Sequence, residues 1–110
     1  MDFLKNLPEN KKALKDLIDI RPGRVISMSL SRSEAVQIML MAVSEGEEVT
    51  SELYPGDIFY YVLEGEMPFL RDGSRSILKE GEIIAVPAGT AHAIGGAGSF
   101  KILQLMLAAN

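Results

Sequence analysis

Between residues 25 and 107 the chain meets a turn signal every few residues, and nearly every corner carries a glycine. Short runs of β-branched, aromatic and aliphatic residues occupy positions 25–30, 35–43, 58–63, 67–70, 76–78, 83–86, 91–94 and 100–107. Arg21-Pro22-Gly23 precedes the first run, Pro55-Gly56-Asp57 precedes the third, and Asp72-Gly73 predicts a tight hairpin between the fourth and fifth. Many short strands punctuated in this way have one economical solution, an antiparallel barrel or sandwich. The Gly95-Gly96-Ala97-Gly98 stretch lacks the Lys-Ser/Thr of a phosphate loop and is expected to be a flexible hairpin connection.

The 110 residues suffice for one domain with one core. Residues 25–110 are expected to form the barrel, with residues 1–24 a separate lead-in. There Pro8 is expected to open a short helix presenting Ala13, Leu14, Leu17 and Ile18 as a stripe, the alternative being an extended arm. An apolar content of 47% with a mean hydropathy of +0.15 is high for so small a chain, which predicts a second buried face and a homodimer.

Eleven basic against fifteen acidic residues give a net charge of −4, and no basic cluster is dense enough to hold a phosphate backbone, so nucleic acid is not expected as a partner. There is no cysteine, hence no thiolate ligand and no thiol nucleophile. The first dozen residues lack the apolar core of a signal peptide, and no apolar run approaches the ~20 residues that span a bilayer. The expectation is a cytoplasmic protein without membrane contact.

Gly81, Pro87, Gly89 and His92 fit the pattern G-x5-P-x-G-x2-H-x3-N, with Gly96 in place of the final Asn. Gly46 and Gly65 stand nineteen positions apart, as in G-x5-H-x-H-x3-E-x6-G. Over residues 25–107 this frame resembles the cupin superfamily, which implies a jelly-roll barrel with its site in the interior. The resemblance also implies a divalent metal (Zn, Fe, Mn or Ni), but the ligand positions depart from the pattern. Glu52 and Tyr54 replace the two histidines, and Ile58, which cannot ligate a metal, replaces the glutamate. Glu52 and His92 are left as the candidate metal ligands, short of the three that a catalytic zinc site normally has.

On a regular strand positions 52, 54 and 58 share one face, and Tyr60 shares it too. His92, the sole histidine, is then a ligand, a general base, or a buried ring hydrogen-bonded to Glu52 or Tyr54. A Glu52–His92 carboxylate–imidazolium pair is one arrangement, and a solvent-exposed Glu52 is the other. Met39 and Met41, in phase with the polar Gln37, are expected to give the cavity a soft wall, or else to be ordinary core. Phe59, Tyr61 and Leu63 point the other way and form an apolar outer stripe suited to dimerisation.

Three functions fit these residues. The first is binding of a small organic molecule in a pocket of His92, Glu52, Tyr54, Ile58, Tyr60, Met39 and Met41. The second is a metal-dependent dioxygenase or isomerase using Glu52 and His92. The third is a structural or regulatory dimer without a ligand.

Overall fold

Nine strands form among the described residues, 3–51 and 54–108 of the computed structural model. They are β1 (Val25–Arg32), β2 (Val36–Val43), β3 (Glu48–Ser51), β4 (Asp57–Gly65), β5 (Met67–Arg71), β6 (Ser74–Leu78), β7 (Ile83–Val86), β8 (His92–Gly95) and β9 (Phe100–Leu107). One sheet has the order β1-β2-β9-β4-β7 and the other β3-β8-β5-β6. All pairings are antiparallel, and the two sheets face each other as a jelly-roll barrel. The Asp72-Gly73 hairpin is a two-residue loop with φ of 53° and 74°, the type I′ geometry that matches strand twist.

The register sorts the barrel interior into rows, because directly paired residues share a face. Along β9 the inward positions are Phe100, Ile102, Gln104 and Met106. Phe100 pairs with Val43, and Ile102 pairs with Met41 and Val62. With Met67 and Leu78 from the other sheet these residues close one end of the barrel, each at most 8% exposed. Burying a side chain of this size contributes roughly 1.5–3 kcal/mol. Polarity enters in the next row, where Ser29, Met39, Gln104, Tyr60 and Ile84 lie side by side. The floor is therefore a packed plug, and the polar chemistry lies above it.

The outer face of the five-stranded sheet is covered in part by the chain's own lead-in. Leu14, Leu17, Ile18 and Ile20 pack with Leu40, Ala42, Leu63 and Leu103. Among the described residues of the lead-in only Leu14–Leu17 is helical, as one 3₁₀ turn, and Ile18 is already extended at φ −140°, ψ 143°. The helix expected from Pro8 does not form. Nucleating a helix fixes several residues for one hydrogen bond, and residues 3–10, all exposed, have no surface to offset that cost. The arm is held instead by contacts to the sheet. The buried Lys101 donates from Nζ to the Lys15 carbonyl at 2.8 Å, with a Glu64 carboxylate oxygen 3.8 Å away. Lys5 N–H donates to the Leu30 carbonyl at 2.9 Å, and Asn6 Nδ2 to the Ser29 carbonyl at 2.7 Å.

Two further expectations change. Residues 96–99 link β8 to β9, which lie in different sheets, so this glycine-rich stretch is a crossing between sheets and not a hairpin. Positions 54 and 58 do not share one regular strand either. Tyr54 lies in the connection between β3 in one sheet and β4 in the other. Among the described residues no helix is long and apolar enough to cross a membrane.

Candidate functional site

The site starts from Pro87-Ala88-Gly89-Thr90. Proline presets φ for the second half of a strand exit, and Gly89 at φ 76° supplies the positive φ that closes the turn, with Thr90 N–H donating to the Pro87 carbonyl at 3.2 Å. Asp57 pins this turn by accepting from Ala88 N–H at 2.8 Å, and the Tyr54 carbonyl accepts from Gly89 N–H at 3.0 Å. The chain then re-enters the sheet with His92 as the first residue of β8.

His92 is 5% exposed and both ring nitrogens are engaged. Nδ1 lies 3.0 Å from the Thr90 carbonyl oxygen, which can only accept, so the Nδ1–H donates and the tautomer is fixed. With the ring neutral, Nε2 accepts from the Tyr60 hydroxyl at 2.7 Å. Aromatic rings surround it. Phe69 stacks at 5.7 Å between centroids and 30°, Tyr60 meets it edge-on at 5.6 Å and 66°, and Tyr54 lies at 6.4 Å. Arg71 places its guanidinium carbon 5.7 Å from the Phe69 ring centroid, a cation–π contact at the edge of the group.

Most of the residues expected to line a pocket lie in or against the barrel core. Tyr60 and Ile58 are buried and inward, at 0% and 2% exposed. Met41 lies deeper, in the apolar core, with Met39 packed against it and Tyr54 at its margin. Glu52, and with it the expected Glu52–His92 pair, lies outside the described residues. The described partner of His92 is Tyr60, thirty-two residues earlier in the chain, rather than Tyr54. Phe69 and Gln104 join the site although the sequence patterns above do not point to them. Gln104 is 7% exposed, yet no described group hydrogen-bonds its carboxamide. No sealed side-chain atom is left unpaired among the described residues, so the polar atoms of this amide keep a little accessible surface. Its signal in the sequence is parity, a single polar residue in the inward alternation Phe100, Ile102, Gln104, Met106.

The sequence profile described as "Cupin domain" matches residues 39–106. The chain belongs to the cupin family. A cupin superfamily protein from Desulfitobacterium hafniense DCB-2 is 42% identical with a TM-score of 0.91, covering 96% of this chain and 98% of that one. A conserved protein of unknown function from Streptococcus pyogenes shares the fold at 22% identity and TM-score 0.94, over 100% and 97% of the two chains. A cupin 2 conserved barrel domain protein from Leptotrichia buccalis, at 19% identity and TM-score 0.88, aligns with 96% of this cupin over 51% of its own length. No curated protein matches the chain.

The metal that the cupin frame implies does not fit the described donors. Ile58 stands where a carboxylate would bind, and the Nε2 lone pair of His92 is taken by the Tyr60 hydroxyl. Among the described residues no three His, Cys, Asp or Glu side chains converge. What this cupin presents instead is a hydrogen-bonded imidazole–phenol pair walled by aromatic rings.

Proposed function

We propose that this cupin binds a small organic molecule in the barrel interior, above the apolar plug, against the Tyr60–His92 pair. The observation that carries the reading is the commitment of both His92 nitrogens within the protein, to Tyr60 and to Thr90. A ring fixed in this way is a preorganised wall for a ligand, and a metal would first have to displace the tyrosine. We place this activity in the cytoplasm.

Purified protein supplemented in turn with Zn, Fe, Mn and Ni and then dialysed is expected to retain far less than one equivalent of metal by elemental analysis. Retained stoichiometric metal would overturn the reading in favour of a dioxygenase or isomerase built on Glu52 and His92. Ligand binding itself is expected to move the imidazole signals of His92, which are free of overlap because the chain has one histidine.

A homodimer accompanies this reading. The arm covers Leu63 at one end of the outer face. Phe59 and Tyr61 stay half-buried beside Ile83 and Leu107, which are 57% and 55% exposed. A second copy on this apolar face is expected to give light-scattering masses near twice the 12.0 kDa chain. Tyr61→Lys is expected to leave a monomer, because an unpaired charge buried at an interface costs several kcal/mol. A wild-type monomer at micromolar concentration would remove the dimer.

A further inference from the structure

β1 carries a bulge that shapes a second feature of the barrel. Ser29 pairs with Met39 and Ser31 with Ile38, so Leu30 is the extra residue, and it turns into the outer apolar cluster at 3% exposed. The arm holds the kink in place through the Ser29 and Leu30 carbonyls. Beyond the bulge Arg32 pairs with Gln37 and shares its face. The result is a cavity of about 140 Å³ lined by Ser29, Ser31, Arg32, Gln37, Ile38 and Met39. Its hydroxyls, amide and guanidinium carry no acidic neighbour among the lining residues.

Met39 links this cavity to the interior, because it pairs with Ser29 on one side and Gln104 on the other. Adjacent strands lie about 4.8 Å apart and alternate residues about 6.8 Å apart along a strand. Arg32 and Gln104 therefore stand roughly 12 Å apart between Cα atoms, with Gln104 just beyond the residues that line the cavity, a gap that one short molecule and its two end hydrogen bonds can span. Both are without a described side-chain partner, one a fixed cation and the other a buried amide with a donor and an acceptor to satisfy.

We propose that this cupin takes a small monocarboxylate, with the carboxylate on Arg32 in the β1–β2 cavity and a hydroxyl or carbonyl of the same molecule on Gln104. This rests on the binding function above and names its ligand class. The planar guanidinium fork matches a carboxylate in two parallel hydrogen bonds. The volume suits a molecule of benzene's size, since an engineered cavity of about 150 Å³ holds benzene. Met39 lies between the two polar anchors and suits the apolar middle of such a molecule.

The probes are 3-hydroxybutanoate, its primary amide, inorganic phosphate and phenol, added at millimolar concentration to ¹⁵N-labelled full-length protein. The hydroxy acid is expected to shift the Arg32 Nε–H and the Gln104 side-chain amide together, and phosphate neither. Arg32→Gln, at an exposed position, is expected to weaken the acid by about tenfold or more while leaving the amide unchanged. Gln104→Leu is expected to weaken both, with its melting curve confirming a folded barrel. Equal binding of acid and amide to the wild type, phosphate shifting Arg32 as the acid does, or an acid response that leaves Arg32 still would each overturn the assignment. Phenol moving His92 when no carboxylate does would overturn it and leave the binding function standing. Failure of every probe to move His92, Arg32 or Gln104 would count against both.

Discussion

Ile58→Glu is expected to cost the barrel on the order of 3–5 kcal/mol and to lower its melting temperature by roughly 15 °C. Ile58 is 2% exposed, in the apolar cluster with Tyr60, Val86 and Met106; Val86 and Met106 offer a carboxylate nothing, and the Tyr60 hydroxyl is already engaged with His92. Burial of an unpaired charge accounts for most of the loss, and protonating the new side chain relieves it only in part. Urea denaturation at neutral pH measures the loss. Combining this change with Tyr54→His and Glu52→His restores the full cupin donor set, and added Ni or Zn should then raise the melting point while chelator lowers it. The single variant should show no such response. A single variant as stable as wild type would mean that position 58 does not face the interior, and the site would have to be rebuilt from a different register.

Gly65→Ala should be of similar size for a different reason. Gly65 ends β4 at φ 77°, where an L-residue costs about 1–2 kcal/mol. Its Cβ would also strike the Ser99 carbonyl oxygen and lie 3.1 Å from the Phe100 Cα, both of them backbone that cannot rotate away. A total on the order of 3 kcal/mol or more is expected. Gly46→Ala separates the two causes. Gly46 has φ 80° but a Cβ there meets nothing within 4 Å, so only the conformational cost of about 1–2 kcal/mol should appear. Equal losses for the two variants would show that β4 approaches Ser99 less closely than this.

These two glycines mark what is readable in the sequence. Their spacing, and that of Gly81, Pro87, Gly89 and His92, fixes corners by local backbone demands, and local demands leave local traces. Parity along residues 58–63 likewise places Ile58 and Tyr60 inside. β3 leaves no such trace. Glu48–Ser51 is polar and acidic, and it becomes a strand only because β8 pairs with it. The partner of His92 is hidden for the same reason. Tyr60 reaches it from the opposite sheet, and nothing nearby in sequence announces a contact between sheets. Gln104 is visible in principle, as the one polar residue in an apolar alternation, but its significance lies in lacking a partner among the described residues, which only the packed barrel reveals. The lead-in resembles a helix in sequence because an apolar spacing that fits a helix also fits an arm laid over a sheet, and the docking surface decides between them.

The place of β9 in the five-stranded sheet, between β2 and β4, bears on how a ribosome delivers this protein. Until residues 100–107 emerge, β1–β2 and β4–β7 are two separate ribbons with no edge in common. An isolated two-stranded ribbon is at best marginally stable in water. During synthesis the five-stranded sheet therefore stays open, with its apolar rows uncovered, until the joining strand arrives. Gln104 and the Lys101 clasp on the arm arrive on that same strand, so the five-stranded sheet, its hold on the arm and this polar residue are completed together.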